Sequence, residues 1–176
     1  MYSAGDKVVH PGHGPGVIRG IERREMLGEE KQYYVIDMLA SGGTLMTPVA
    51  QADEVGLRLA ISQTAAKKLL RSLAEAPDTL PDDFRERQLD VEERLKDGDI
   101  NASVDVIRDL AWYGQAKSLT KRDAQLMQRA EELVGGELAL IKEIELKEAI
   151  AEIQAVVEAA ISDRQAKELS PSAQAG

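Results

Sequence analysis

Residues 7–25, KVVHPGHGPGVIRGIERRE, decide the fold of the first part of the chain. Short runs rich in valine and isoleucine flank residues 11–16, where three glycines and two prolines stand close together. Branched aliphatic runs separated by glycine and proline are typical of short β-strands joined by tight turns. The stretch therefore predicts two strands and the turn between them.

The same stretch carries both histidines of the chain, His10 and His13. A metal site requires several converging ligands, and a chain without cysteine and with few acids nearby does not supply them here. The stretch matches no phosphate-binding glycine motif, and no serine stands in a hydrolase-type G-x-S-x-G turn. We therefore predict no catalytic, metal-binding or cofactor-binding residues. A small metal-dependent enzyme is the alternative that rests on these two histidines alone.

Further runs of the same kind follow up to about residue 58, namely GVIRGIE, QYYVIDML and GTLMTPV. Four or five short strands in so few residues fit a small, strongly bent barrel better than a large sandwich. Residues 1–58 are therefore predicted to form a Tudor- or SH3-like barrel.

Beyond these strands the hydrophobic pattern changes to the spacing of amphipathic helices. Ser62 is a good N-cap, and Thr120 stands three residues before Asp123, as in a capping box. About five helices are predicted in residues 59–169, followed by a disordered tail, residues 170–176. The predicted fold class is therefore α+β, with a small barrel followed by an all-α domain.

The end of the helical part contains a pair of glycines, Gly135 and Gly136. The fourth helix is predicted to reach this pair. The last helix is predicted to run from about Glu137 to Leu169, with apolar residues repeating along one face.

Composition limits the classes of function. The net charge of −9 argues against a protein that coats nucleic acid by bulk attraction. No apolar run approaches the roughly 20 residues of a membrane span, and the first residues, MYSAGDKVV, have no signal-peptide pattern. The predicted location is the cytoplasm, without a membrane partner.

Several blocks of sequence, in the same order and spacing, resemble one known family. The blocks GDKVVHPGHGPGVIRGIE, GEEKQYYVIDM and TPVAQADEVGLR resemble the N-terminal module of the CarD family, which transcription-repair coupling factors share. The blocks LKDGDINASVDVIRDLAW and LTKRDAQLMQRAEELVGGELAL resemble the helical half of CarD proteins. The resemblance covers roughly residues 5–160.

This resemblance implies a bacterial transcription regulator that is not an enzyme and has no cofactor. In the family, the Tudor-like module docks on the β-subunit lobe of RNA polymerase. The helical domain contacts the minor groove of promoter DNA near the −10 element, at the upstream fork of the bubble, and stabilises the open complex. The protein is expected to be a monomer, associated with the nucleoid through the polymerase.

The family's polymerase-contacting strands match ERRE, residues 22–25, and GTLMTPV, residues 43–49. Arg24 stands where the family commonly has a basic contact, and Met46 where another basic residue is often found. The resemblance thus implies a polymerase-binding set of Arg23, Arg24, Glu25, Leu45, Met46, Thr47 and Pro48. The alternative is that the two arginines are solvated charges paired with the neighbouring glutamates.

Phe84 matches the position of the tryptophan wedge of CarD proteins. Phenylalanine is among the apolar side chains that insert between base steps. Arg85 and Arg87 would attract phosphates, although Asp82, Asp83 and Glu86 would repel them. The alternative is that Phe84 is an ordinary core residue of its helix.

The single tryptophan, Trp112, precedes a locally basic stretch that includes Lys121 and Arg122. A basic patch beside aromatic residues is typical of a nucleic-acid footprint, but Trp112 alone also fits a core position. The DNA-binding set is therefore Phe84, Arg85, Arg87, Trp112, Lys121 and Arg122. The second candidate function is a polymerase-bound adaptor whose helical domain binds another protein rather than DNA.

Overall fold

The computed structural model describes residues 1–170, and the chain divides into two compact units. The first unit comprises Met1–Gln63 and Gly136–Leu146, and the second comprises Thr64–Gly135 together with residues 147–170. The predicted domain boundary after residue 58 stays a prediction. The predicted tail lies outside the described residues, apart from Ser170.

The first unit is built on a five-stranded antiparallel sheet with the strand order β4-β3-β2-β1-β5. The strands are β1 (Lys7–His10), β2 (Gly14–Met26), β3 (Glu29–Met38), β4 (Thr44–Pro48) and β5 (Arg58–Leu59). A bulge between Ile18 and Gly20 interrupts the pairing of β2 with β3, and such bulges bend and twist a sheet. The small β-domain predicted from residues 7–25 is confirmed.

The core of this sheet is aliphatic apart from tyrosine, as the low aromatic content requires. It contains Val8, Ile18, Tyr34, Ile36, Met38, Ala52 and Leu57. Tyr2 closes it, because its hydroxyl donates a hydrogen bond to the Leu57 carbonyl at 2.7 Å and its N–H donates to the Tyr34 hydroxyl at 3.0 Å. Gly16 lets β2 and β3 approach closely, since a Cβ there would stand 2.7 Å from the Asp37 carbonyl oxygen.

Both histidines lie at the turn between β1 and β2. The Gly12 N–H donates a hydrogen bond to His10 Nδ1 at 3.1 Å, and the rings of His10 and His13 are 4.8 Å apart. Burial, and then the charge of His13, lower the pKa of His10. Within residues 1–170, no group of three or more His, Cys, Asp or Glu side chains is arranged to hold a metal ion.

Strands β2 and β3 extend into a long exposed hairpin that ends in the turn Leu27–Gly28. The φ angles of these residues are +55° and +81°. Two consecutive positive φ values are the mark of a type I′ turn, whose first position favours asparagine. Leu27 is 104% exposed, so burial within the chain does not offset its backbone strain.

We expect Leu27→Asn to raise the free energy of unfolding by about 1 kcal/mol, because asparagine tolerates the left-handed region far better than leucine. Urea unfolding of the full chain measures this change. Leu39→Asn is the control, since Leu39 is also exposed but has no positive φ. A loss of stability in Leu27→Asn would contradict the assigned turn.

Five α-helices follow in the described residues, as predicted. They are α1 (Gln63–Ser72), α2 (Phe84–Lys96), α3 (Ile100–Ala116), α4 (Lys121–Lys142) and α5 (Leu146–Leu169). The predicted capping box is confirmed at the start of α4. The Thr120 N–H donates to Asp123 Oδ2 at 2.9 Å, and the Asp123 N–H donates to Thr120 Oγ1 at 3.1 Å.

The predicted helix end at Gly135–Gly136 is wrong. Helix α4 continues to Lys142, and the last helix begins at Leu146 rather than near Glu137. Gly136 serves close packing, because a Cβ there would stand 3.1 Å from Pro15 Cγ. The chain leaves α4 at Glu143, whose φ is +58°, a left-handed conformation common after a helix.

The last turns of α4 belong to the first unit and are tied to it by Glu137. This carboxylate is 2% exposed and accepts hydrogen bonds from Arg58 Nη1 and Nη2 at 2.8 and 2.9 Å. It also accepts one from the Ile61 N–H at 2.8 Å. A buried carboxylate with this many donors is well satisfied. The first unit therefore includes the end of α4, although this segment lies more than 70 residues after the strands in the chain.

Candidate functional site

The strand register divides the predicted polymerase-binding residues between two faces of the sheet. Directly opposite residues of an antiparallel pair share a face, and faces alternate along each strand. Glu22 lies opposite Tyr33, which in turn lies opposite Pro48, and Arg24 is two residues along β2. One face, here called the outer face, therefore carries Glu22, Arg24, Met26, Tyr33, Met46 and Pro48.

The other face carries Arg23, Glu25, Leu45 and Thr47. Leu45 packs against the hydrophobic core, and Thr47 is 3% exposed. The Thr47 side chain is therefore not available to a partner, and the half-buried Leu45 side chain packs against the core rather than lying on the outer face, which corrects the predicted set. Arg23 and Glu25 are exposed but point away from the outer face.

The charges of the hairpin are only partly paired. Arg24 Nη2 lies 3.0 Å from Glu22 Oε2, whereas Arg23 forms no salt bridge with any residue in the described part of the chain. The register sets Arg24 directly opposite Lys31 and Glu25 directly opposite Glu30. Like charges in directly opposite positions destabilise a hairpin, but Lys31 Nζ lies 3.2 Å from Glu29 Oε2, so both cations of the Arg24–Lys31 pair have a neighbouring carboxylate.

Two aromatic or apolar residues of the outer face were missed by sequence reasoning. The Tyr33 hydroxyl donates a hydrogen bond to Met26 Sδ at 3.2 Å. The alternation along β2 would have assigned Met26 to the face of Arg24. Tyr33 can be assigned to this face only when the register between the strands is known. Strand β4, which carries Met46 and Pro48, is an edge strand, and within residues 1–170 it pairs only with β3.

In the helical unit, Phe84 is the first residue of α2 and is 47% exposed. The alternative that it is a core residue is therefore wrong. Asp83 caps the helix, because its Oδ1 accepts hydrogen bonds from the N–H groups of Arg85 and Glu86 at 2.9 and 3.1 Å. The Arg85 guanidinium lies 5.5 Å from the Phe84 ring centroid. An exposed aromatic with an adjacent cation is thus presented at a capped helix start.

Arg87 is 2% exposed and binds the residues that lead into this helix. Its guanidinium donates to Asp123 Oδ1 and Oδ2 at 3.2 and 2.8 Å, and to the Tyr113 hydroxyl at 3.0 Å. It also donates to the carbonyls of Pro81 and Asp82 at 2.9 and 3.1 Å. These bonds leave Arg87 unavailable to a phosphate, so its predicted DNA contact is corrected to a positioning role.

The Arg87–Asp123 pair is held ionised by its surroundings. The hydrogen bond to Asp123 raises the pKa of Arg87 despite its burial. Burial alone would raise the pKa of Asp123, but hydrogen bonds from Arg87 and Thr120 outweigh burial and lower it. A fully hydrogen-bonded ion pair of this kind fixes geometry, here that of the segment leading into Phe84.

Trp112 is half-buried, and its Nε1 is buried without a hydrogen-bond partner among the described residues. The Arg164 guanidinium lies 5.0 Å from its ring centroid. These contacts favour a packing role within the helical unit over the predicted DNA contact.

Lys121 and Arg122 stand at the start of α4 and are exposed. Arg122 Nε and Nη2 lie 3.1 and 2.6 Å from Glu92 Oε1. Arg122 is therefore committed to a carboxylate on α2, while Lys121 forms no salt bridge within residues 1–170. Of the predicted DNA set, Phe84, Arg85 and Lys121 have exposed side chains that form no ion pair in the described part.

Two family models match the chain in consecutive segments. Residues 2–61 match the CarD-like/TRCF RID domain, and residues 68–170 match the CarD C-terminal domain. The chain therefore belongs to the CarD family, whose members regulate transcription together with RNA polymerase and are generally not enzymes. The predicted fold class, a Tudor-like β-domain followed by an all-α domain, is confirmed.

The putative transcription factor YdeB of Bacillus subtilis (strain 168) is 32% identical over 150 residues, which cover 84% of this chain and 97% of that protein. The solved structure of CdnLNt from Myxococcus xanthus is 40% identical and covers 36% of this chain and 89% of that chain, with a TM-score of 0.31.

In residues 1–170, no helix has the length and apolar character needed to cross a membrane.

Proposed function

We propose that the chain docks on the β-subunit lobe of RNA polymerase through the outer face and stabilises the promoter open complex through Phe84. Phe84 contacts the minor groove at the upstream fork of the bubble, near the −10 element. The observation that carries this proposal is the exposure of Phe84 at the capped start of α2. The chain acts in the cytoplasm as a monomer and reaches the nucleoid through the polymerase.

The outer face has the composition of a docking surface. Methionine, tyrosine and arginine are enriched at protein interfaces, and the face combines Met26 and Met46 with Tyr33 and Arg24 on one sheet surface.

The helical unit offers an apolar wedge supported by cations. Phe84 is large and exposed, and the buried Arg87, paired with Asp123, binds the Pro81 and Asp82 carbonyls just before it. Arg85 and Lys121 supply exposed positive charge for phosphates. Because the wedge contact exists only when the bubble is open, its binding energy shifts the population towards the open complex.

Arg24→Glu is expected to weaken polymerase binding by about 2 kcal/mol or more, roughly thirtyfold. Met46→Glu is expected to do the same, because it places a charge in the apolar part of the outer face. Binding of the full chain to purified polymerase measures the effect, and thermal melts check that the variants are folded.

Arg23→Glu is the matched control. It makes the same charge change at the neighbouring position, but on the opposite face of the hairpin, so it should bind almost normally. Equal losses in Arg23→Glu and Arg24→Glu would point to bulk charge rather than to the outer face. Normal binding by folded Arg24→Glu and Met46→Glu would remove the proposed docking site.

A second candidate function is a polymerase-bound adaptor whose helical domain binds a protein. The acids around Phe84, namely Asp82, Asp83 and Glu86, are the observation that favours it, since they repel phosphates. Asp82 is, however, ion-paired with Lys117, and Asp83 is used as the cap of α2. These pairings reduce the repulsion and favour the DNA-contact proposal.

A further inference from the structure

A basic surface on α1 lies outside both sites described above. Residues 55–74 contain four cations and no aspartate or glutamate, in a chain with 31 acidic residues and a net charge of −9. One of the four, Arg58, is bound to the buried carboxylate of Glu137. The other three are Lys67, Lys68 and Arg71, which lie on α1 and belong to neither of the sites proposed above.

The three cations share the solvent side of one amphipathic helix. Helix α1 buries Ala66 and Leu69 and exposes all three cationic side chains. Arg71 Nε donates to the Lys67 carbonyl at 3.4 Å, which folds the guanidinium back along the helix towards Lys67. The positive charge is thereby concentrated on one face of α1.

Elsewhere in the helical unit, three exposed cations are paired, while the exposed cations that form no salt bridge within residues 1–170 do not stand three in five residues as they do on α1. Arg122 pairs with Glu92, Lys117 with Asp82, and Lys96 with Glu93. Lys67, Lys68 and Arg71 form no salt bridge with any residue between 1 and 170. Like charges one turn apart destabilise a helix by a few tenths of a kcal/mol. The cluster on α1 is therefore not explained by the stability of the fold.

We propose that α1 is a second nucleic-acid contact of the helical unit and binds the phosphate backbone of duplex DNA through Lys67, Lys68 and Arg71. The inference rests on the proposed function, because polymerase docking would bring this unit to the promoter. It also concerns a different kind of contact, since the wedge inserts an aromatic ring and α1 neutralises phosphates without reading sequence.

The surface of α1 favours DNA over an acidic protein. No large apolar side chain of α1 is among the exposed hydrophobic residues of the described chain, so the helix lacks the apolar centre of a protein interface. Its other exposed residues at the N-terminal end, Gln63 and Thr64, are polar and suited to phosphate hydrogen bonds. Lysine is itself depleted at protein interfaces.

The test is the salt dependence of DNA binding by the triple variant Lys67→Gln/Lys68→Gln/Arg71→Gln of the full chain. Affinity for a promoter duplex is measured by fluorescence anisotropy from about 0.05 to 0.2 M salt, first with the chain alone and then with the polymerase–chain complex. Loss of three phosphate contacts should reduce the slope of log affinity against log salt by about two to three units. At about 0.1 M salt, affinity should fall at least tenfold.

The control is a second triple variant, Lys96→Gln/Lys147→Gln/Lys167→Gln, which makes the same charge change at other exposed lysines of the helical unit. An unchanged slope in the α1 variant, or an equal reduction in both triple variants, would overturn the proposal. Weaker binding of the α1 variant to polymerase in the absence of DNA would also overturn it, in favour of an acidic protein partner. Absence of polymerase binding by the wild-type chain would contradict the docking proposal alone, and the measurement on the free chain would still decide the role of α1.

Discussion

Asp123→Ala should lower the free energy of unfolding of the helical unit by about 3–5 kcal/mol, because it leaves the buried Arg87 guanidinium without a counterion. The Arg87 side chain is 2% exposed and that of Asp123 is 0% exposed. Arg87 would keep its bonds to Tyr113 and to the carbonyls before α2, but these neutral partners do not compensate a buried charge. Urea unfolding followed by helical ellipticity measures the loss.

Glu92→Ala is the matched control for this prediction. It also removes a carboxylate bound to an arginine, but the Glu92–Arg122 pair is about half exposed on both sides. Exposed ion pairs contribute roughly 0–1 kcal/mol, so Glu92→Ala should change stability little. Similar losses in the two variants would contradict the structural role assigned to the buried pair.

The same pair predicts a pH dependence with a definite sign. The pKa of Asp123 is lowered in the folded protein, so its stabilising contribution is present above the ordinary aspartate value of about 3.9. That contribution is lost as the pH falls through the lower folded value. The wild-type chain should therefore lose more stability below about pH 4 than Asp123→Ala does.

Phe84→Ala is expected to shorten the lifetime of the promoter open complex by roughly 5- to 150-fold, since base–aromatic stacking contributes about 1–3 kcal/mol. Polymerase docking should be unchanged, because the proposed docking surface, the outer face, lies on the other unit. Phe84→Trp should lengthen the lifetime, since the indole adds stacking area and a hydrogen-bond donor. Decay of open complexes after addition of a competitor measures these lifetimes.

Leu89→Ala is the control for the wedge, because Leu89 is also exposed and lies on the same helix. Both alanine variants should keep nearly wild-type melting temperatures, since neither side chain is in the core. If Phe84→Ala leaves the open-complex lifetime unchanged while the chain remains bound to polymerase, the adaptor function is favoured instead.

The sequence correctly predicted those turns and helix starts that depend only on residues close to them in the chain. The glycine and proline punctuation of residues 11–16 indicated the first turn, and Thr120 with Asp123 indicated the start of α4. Both features depend on backbone conformation and hydrogen bonds within a few residues. The alternation along β2 likewise separates Arg23 from Arg24 without any further information.

Distant packing explains where sequence reasoning failed. Gly136 was taken for a helix end, but it lies against Pro15, which is far away in sequence. Arg87 was wrongly predicted to contact a phosphate. Its burial depends on Asp123, which lies 36 residues later and cannot be identified as its partner from the sequence around Arg87. The position of Tyr33 on the outer face follows only from the pairing of β3 with β2 and β4. None of these partners can be identified from the residue's own segment.

The most direct test of the proposed wedge places a photo-crosslinking phenylalanine derivative at Phe84 of the full chain. In open complexes formed with polymerase, we expect crosslinks to promoter DNA at the upstream edge of the bubble. No such crosslinks are expected when the promoter remains closed, because the proposed contact is made only at the edge of the melted bubble. Crosslinks to protein alone, or equal DNA crosslinking in closed and open complexes, would contradict the proposed stabilisation of the open complex.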